Sequence, residues 1–333
     1  MRRDTEQAIG RPSFSIVLET ENLENADIED LTRSLRSLVK QDVPLDLARE
    51  VLLIDSGDAS PELLRQLCER YSWIKVYPAP AATGYYRAKM LGAEVATGEV
   101  VIYCDSDCIY EPGWLRHLLT PFRQKEIQVV AGETRTRGQG PYGTAMALTY
   151  IFPQYSGRSD LFPVAQYFLN NVAFRREFLL QHPIPVELPL YRGNCVIHAQ
   201  KLAQAGYSIW RQPLARSTHA SPEGVSHFFW RFLLIGHDYY WQNQLMQADD
   251  RMAFQESSFR GKVQTFFDRA GKLFFNNPRH WLHLPLAVPI ALSSIVLILI
   301  GYLITRLQPS YLLKAYDRRN QRETFYSERK SWL

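Results

Sequence analysis

The sequence predicts an α/β fold, a mainly parallel sheet with helices on both faces. Three observations carry this. Short unbroken apolar runs, such as Val51-Leu52-Leu53-Ile54 and Val100-Val101-Ile102-Tyr103, read as strands buried on both faces. Stretches with apolar residues at helical spacing alternate with them, and the connections between the two are short.

The elements follow in order. Phe14 to Leu18 is the first strand, and Ile28, Leu31, Leu35, Leu38 and Val39 then recur at helical spacing. Val51 to Ile54 is the second strand and runs into Asp55-Ser56-Gly57-Asp58. Ser60 suits an N-cap and Pro61 the first helical position, which starts a helix with Leu63, Leu64, Leu67 and Tyr71 on one face. Ile74 to Tyr77 is the third strand. Tyr85 to Thr97 is a helix stopped by Gly98, and Val100 to Cys104 is the fourth strand, followed by Asp105-Ser106-Asp107. Carboxylates thus end the second and fourth strands, on the sheet edge where ligands bind in open α/β folds. Two acids two residues apart either face a divalent cation that carries phosphates or are solvated turn residues. No G-x-G-x-x-G follows the first strand, so the dinucleotide fingerprint of a dehydrogenase is missing.

A length of 333 residues allows one large α/β domain with an appendage, and 46% hydrophobic with 22% charged residues is the composition of a folded chain. The 38 basic residues are scattered among 34 acidic ones, a net charge of +4, which gives no stripe for nucleic acid. Cys68, Cys104, Cys108 and Cys195 form no C-x-x-C pair and read as reduced thiols of a cytosolic compartment. No apolar h-region follows Arg2 and Arg3 before Phe14, so export by a cleaved signal is not expected. Trp281 to Thr305 holds 25 residues without Asp, Glu, Lys or Arg, enough to span a bilayer core of roughly 30 Å; the alternative is a buried core helix.

Further motifs complete the pattern. Ile16-Val17-Leu18 leads to Asn22, Gly84 to Gly98 carries small residues and Lys89 at fixed spacing, Asn170 to Arg176 ends in paired arginines, and Leu202 to His219 reads L-x-x-x-G-Y-x-I-x-x-x-P-x-A-x-x-x-H. In order and spacing, Ser13 to His219 resembles a family 2 glycosyltransferase of GT-A fold. The resemblance implies a nucleoside-diphosphate sugar, UDP- or GDP-linked, over the C-terminal ends of the first strands. It implies that Asp55 accepts hydrogen bonds from the donor's base, that Asp105 faces the ribose and metal, and that Asp107 ligates Mg²⁺ or Mn²⁺ on the diphosphate, with His219 as a further ligand. Lys89 then either reaches a phosphate as a point charge or lies on a solvated helix face. Arg175 and Arg176 divide between a phosphate or acceptor contact and packing.

The chain departs from that pattern at Arg192-Gly193-Asn194-Cys195, where inverting members carry the Asp that deprotonates the acceptor. Neither Asn nor Cys is an ordinary carboxylate base. Glu187 or Asp160 is the expected substitute; a shifted alignment or a lost activity are the alternatives. Glu19 replaces a usual Pro, and Tyr85 and Tyr86 replace small residues, either narrowing the donor pocket or packing. No Q-x-x-R-W follows His219, which points to transfer of a single sugar.

The C-terminal third is read as membrane-associated. Phe228, Phe229, Trp230, Phe232, Tyr239, Tyr240 and Trp241 suit either a membrane interface or a helix core. Phe259, Val263, Phe266, Phe267, Ala270, Leu273 and Phe274 form one face of an amphipathic helix with Arg260, Lys262, Arg269 and Lys272 elsewhere. A single spanning helix is the leading reading of 281–306. A re-entrant segment kinked at Pro285 and Pro289 competes with it, because the tail after Thr305 is basic. The expected organisation is a polar tail (1–12), a GT-A domain (13–225), interfacial helices (226–280), the membrane segment (281–306) and a basic tail (307–333). It serves an inverting, metal-assisted transfer of one sugar to a lipid-linked or glycan acceptor at the cell membrane, with the catalytic domain facing the cytoplasm. A non-catalytic nucleotide-sugar-binding scaffold is the alternative.

Overall fold

The computed structural model describes residues 11–21, 28–81, 83–246 and 259–319. The tail 1–10, Asn22 and the residues from 320 onward lie outside that description, as do the side chains of Ile28, Phe259, Arg260, Lys262, Val263 and Phe266. The chain forms two compact units. One comprises Met1–Arg137, Phe152–Val186 and Asn194–Ala220; the other comprises Gly138–Ile151, Glu187–Gly193 and Ser221–Leu333. The segments Gly138–Ile151 and Glu187–Gly193, assigned from sequence to the GT-A domain, therefore pack with the C-terminal helices.

The first unit holds β1 (Phe14–Glu19), α1 (Ile28–Val39), β2 (Val51–Asp55), α2 (Pro61–Arg70), β3 (Ile74–Pro78), α3 (Tyr85–Val95), β4 (Val100–Cys104), β5 (Cys108–Tyr110), α4 (Trp114–Leu119) and β6 (Val129–Thr136). Beyond the excursion to the other unit, which carries α5 (Gly140–Thr149), come β7 (Phe162–Val164), β8 (Asn171–Arg175), α6 (Arg176–Gln181), α7 (Asn194–Gln204) and β9 (Ile209–His219). The sheet order is β3-β2-β1-β4-β8-β6-β9-β5, with β7 on β9.

The half from β3 to β4 is parallel, as the apolar runs predict. The other half is mixed: β8 enters antiparallel to both β4 and β6, whereas β6 and β9 run parallel. Alternation along the strands explains why both faces are apolar. Ile16, Leu53 and Ile102 pack toward α1 and α2, and Val17, Leu52, Val101 and Tyr103 toward α3 and α7. Each fully buried Val or Ile contributes about 1.5–3 kcal/mol, which fixes the register that sets the strand ends. Ser60 caps α2 by accepting from the Leu63 N–H at 3.2 Å, and Pro61 opens the helix as its fixed φ allows. All four cysteines are free.

A bulge fixes the β6–β9 pair. The register shifts between Ala131 and Glu133, and a Cβ at Gly132 would lie 2.2 Å from the Ala215 carbonyl and 2.3 Å from Asn171 Oδ1. The buried Asn171 amide fills that space, donating to the carbonyls of Glu133 and Ala215 and to Ser217 Oγ while accepting from Trp114 Nε1. The C-terminal end of β9, which carries His219, is thereby locked.

The second unit is helical. It contains α5, α8 (Gly224–Leu245), α9 (Phe259–Asn276) and α10 (His280–Leu307), and 311–319 is helical as well. Helix α10 runs unbroken through Pro285 and Pro289, so the chain does not turn back at either proline. It is long and apolar enough to cross a membrane. Of the aromatics on α8, Phe232 is fully buried while Phe229 is exposed.

Candidate functional site

Parallel register brings the ends of β2, β1 and β4 to one edge, because Glu19 pairs with Ile54 and Val17 with Tyr103. Asp55, half-buried, ends β2. Its Oδ1 accepts the Gly57 N–H at 3.1 Å, a turn that Gly57 allows with φ of 84°.

Asp105 is buried and over-determined. Lys89 Nζ donates to its Oδ1 at 2.7 Å and to the Cys104 carbonyl, and Tyr85 Oη lies 3.1 Å from both carboxylate oxygens. Its backbone N–H donates to Tyr110 Oη, which in turn donates to the Asn170 carbonyl. Lys89 has no exposed surface. Burial opposes its charge, but Asp105 and Glu19 outweigh that and hold its ammonium above the ordinary range. The residue expected on a phosphate or on a solvated face is therefore the clamp of the first aspartate. Tyr85 and Tyr86 are buried, and Tyr85 serves the same clamp rather than narrowing a pocket.

Asp107 faces His219. Its Oδ2 lies 3.1 Å from His219 Nε2, and its carbonyl accepts the Ala220 N–H at 3.1 Å. His219 Nδ1 donates to the Ala220 carbonyl at 2.6 Å, which leaves Nε2 facing the Asp107 carboxylate. A proton or a cation between the two satisfies that arrangement. Burial raises the Asp107 carboxyl and Asp105 adds to this, partly offset by His219. Asp107, Cys108 and His219 place ligand atoms within 4.8 Å of one another. Burial pushes the Cys108 thiol well up, so it stays protonated and a poor ligand. A carboxylate and an imidazole then remain, a donor set that fits Mg²⁺ or Mn²⁺ with other positions left for phosphate oxygens and water.

The arginines hold the scaffold. Arg175 donates to the carbonyls of Phe122, Gln124 and Ile127, and Arg176 to those of Ala93 and Glu94 at the end of α3. A charged group absent from the sequence reading is Arg137, whose N–H bonds the His219 carbonyl and whose guanidinium charge acts on Asp107. Only the β6–β9 pairing of Thr136 with His219 brings it there.

The base position is closed. Asn194 is buried at the start of α7 and gives its amide to the Pro185 carbonyl. Cys195 is buried near Tyr86, and burial pushes its thiol up to about 12. Both substitute acids, Asp160 and Glu187, are exposed; Asp160 belongs to the first unit and Glu187 to the second. The segment leading to Asp160 starts beside His219. The Phe152 ring stacks 4.6 Å from His219, and Tyr155 Oη donates to the Ser217 carbonyl at 2.9 Å. The buried Glu133 carboxylate accepts the Ser156 N–H, which anchors the same loop.

Residues 24–183 match the model described as Glycosyl transferase family 2. Polypeptide N-acetylgalactosaminyltransferase 3 of Drosophila melanogaster is 30% identical over 135 residues, which cover 38% of this chain and 19% of that protein. Glycosyltransferase AglE of Haloferax volcanii is 24% identical over 206 residues, 60% of this chain and 64% of its own. The chain thus spans about a fifth of the first relative and under two thirds of the second. Among solved structures, the mannosyltransferase PcManGT from Pyrobaculum calidifontis, in complex with GDP-Man and Mn²⁺, superposes with a TM-score of 0.57 at 17% identity, covering 90% of this chain and 88% of that one. GalNAc-T7 with UDP, GalNAc and Mn²⁺ gives 0.51 at 15% identity, covering 80% and 59%. At such identities the likeness is one of fold, the GT-A fold. The match over residues 24–183 makes just under half of the chain similar to glycosyl transferase family 2, and the solved structures share its fold.

Proposed function

We propose that the chain transfers a single sugar, with inversion, from a nucleoside-diphosphate sugar to a lipid-linked or glycan acceptor near a membrane. The observation that carries this reading is the paired site at the sheet edge: Asp105 clamped by Lys89 and Tyr85, and Asp107 set 3.1 Å from His219 Nε2. Complexes of the structural neighbours with GDP-Man and with UDP and GalNAc, each with Mn²⁺, support a UDP- or GDP-sugar donor. Asp55 accepts from the donor's base and Asp105 from its ribose. Asp107 and His219 would hold Mg²⁺ or Mn²⁺, which would supply positive charge to the diphosphate. In the reaction the acceptor hydroxyl oxygen bonds the anomeric carbon, the bond to the diphosphate breaks, and its electron pair leaves with the phosphate oxygen. The hydroxyl proton passes to a carboxylate. Asp160 is favoured over Glu187 for that role because its loop is rooted at Phe152 and Tyr155, beside His219. Cytoplasmic placement of the donor site at the cell membrane belongs to the same reading, since nucleotide sugars are drawn from that side.

The test is nucleotide release from a panel of UDP- and GDP-sugars with Mn²⁺, with product anomers read by proton NMR. Turnover of one donor with inverted configuration, abolished by Asp107→Ala, is expected. Retained configuration overturns the inverting mechanism. A second reading, a donor-binding scaffold without turnover, is favoured by the buried Asn194 and Cys195 where a base belongs. Donor binding with no turnover on any acceptor supports it.

A further inference from the structure

Helix α10 has two opposite faces. Ala287, Ala291, Ser294, Gly301 and Thr305 are buried along one side, all small. Leu286, Leu292, Val296, Leu299, Leu303 and Leu307 stand exposed on the other, at spacings of three, four and six residues along the full length. The small face packs on α8 at close range. A Cβ at Gly236 would lie 2.1 Å from the Ile298 carbonyl, and one at Gly301 2.1 Å from the Leu233 carbonyl. The two helices run parallel in a constant register, shown by His237 Nδ1 with Thr305 Oγ1 at 3.0 Å and Trp241 Nε1 with the Pro309 carbonyl at 3.4 Å.

Both ends of α10 are held by short excursions of the chain. At its start, His280 Nδ1 meets Thr144 Oγ1 of α5 at 2.7 Å. Toward its end, His237 bridges Thr305 and the Pro189 carbonyl, the latter at 3.1 Å. Pro189 is three residues beyond Val186 and Thr144 is seven beyond Arg137, the points at which the chain leaves the strand-bearing unit. Their reaches are at most roughly 11 Å and roughly 25 Å, the second shortened further because α5 is helical from Gly140. His280 and Thr305 are themselves about 38 Å apart along the helix. A spanning α10 sets its two ends on opposite sides of roughly 30 Å of hydrocarbon, and these tethers cannot bridge it.

We propose that α10 lies in the plane of one leaflet, with its large apolar face in the acyl chains and both ends on the same side of the bilayer. Lipid is the occupant because charge complements it. Arg279 and Arg306 bracket the apolar face, and between residues 267 and 319 Lys and Arg outnumber Asp and Glu seven to two, which suits anionic headgroups. Phe267, Phe275 and Trp281 are exposed around the start of the helix, where aromatic rings favour the headgroup boundary. The inference rests on packing, chain reach and charge and stands whether or not the chain transfers sugar.

The experiment places single cysteines at the exposed Asn277 and Gln308, one before and one after α10, in a full-length Cys68→Ser background. The remaining native thiols are buried. Sealed inside-out membrane vesicles from expressing cells are treated with a membrane-impermeant maleimide, with and without detergent. Equal labelling at both sites without detergent, in protein that stays with the vesicles, is expected. Labelling of one site that requires detergent while the other does not means that α10 spans, and overturns the proposal. Recovery of the protein in the supernatant overturns it too, and Leu299→Glu should move the wild-type distribution in that direction.

Discussion

Replacing Lys89 by Met removes a charge from a site with no exposed surface while keeping most of the side chain's volume. The lost ion pair is 2.7 Å long, and among the described residues its partner Asp105 retains the Tyr85 hydroxyl against a buried negative charge. Breaking one half of a buried pair costs about 3–5 kcal/mol, because the surviving charge is left uncompensated. That is a large part of the 5–15 kcal/mol that holds a typical domain together, so solvent screening, which weakens exposed pairs, gives no relief here. Urea unfolding of Lys89→Met should show this loss, and donor affinity should fall because Asp105 no longer holds its orientation. Adding Asp105→Asn should restore part of the stability, since no charge then remains to be compensated, while donor binding stays lost. A single variant within 1 kcal/mol of wild type by that measurement, or a double variant no more stable than the single one, refutes the clamp.

Other consequences follow from named groups. Burial pulls His198 down to about 4 from 6.5; the folded chain keeps it neutral, so stability is full above pH 6.5 and falls by about 3 kcal/mol as pH drops toward 4. His198→Gln should flatten that acid limb in denaturation measured at pH 7 and pH 4.5. Asp238 behaves oppositely: burial raises its carboxyl to about 7 from 3.8, so its contribution is complete below 3.8 and is lost as pH rises through 7. Both its oxygens accept backbone N–H groups, from Tyr191 and Arg192, so Asp238→Ala should cost about 1–3 kcal/mol in thermal or chemical unfolding. Asp160→Asn should lower kcat at least a hundredfold with donor KM unchanged if Asp160 takes the acceptor proton; an unchanged rate removes it as the base.

The parallel half of the sheet was legible because Val51 to Ile54 and Val100 to Cys104 are buried on both faces, which leaves unbroken apolar runs. Ser60 and Pro61 likewise announced α2 by local chemistry. The antiparallel entry of β8 was not legible, since strand direction depends on partners far apart in sequence. Asp105, Asp107 and His219 were singled out from motif order, but the contacts each makes could not be read. Lys89 lies on a helix and its partner at the end of the next strand, and only the packed fold shows that their charges are buried together. Arg175 and Arg176 were legible as a motif, yet their work is done on carbonyls that have no sequence signature. The length and apolar character of 281–306 were legible from composition, whereas the contacts at Thr144 and Pro189 are ones that hydropathy does not encode.

The most direct measurement is calorimetric titration of the turned-over UDP- or GDP-sugar, with and without Mn²⁺, into wild type and His219→Ala. The account predicts that Mn²⁺ tightens donor binding to the wild type at least tenfold and that His219→Ala loses most of this gain, because the proposed cation site pairs His219 Nε2 with Asp107. Equal donor affinity with and without Mn²⁺ in the wild type, or an undiminished Mn²⁺ effect in His219→Ala, contradicts it.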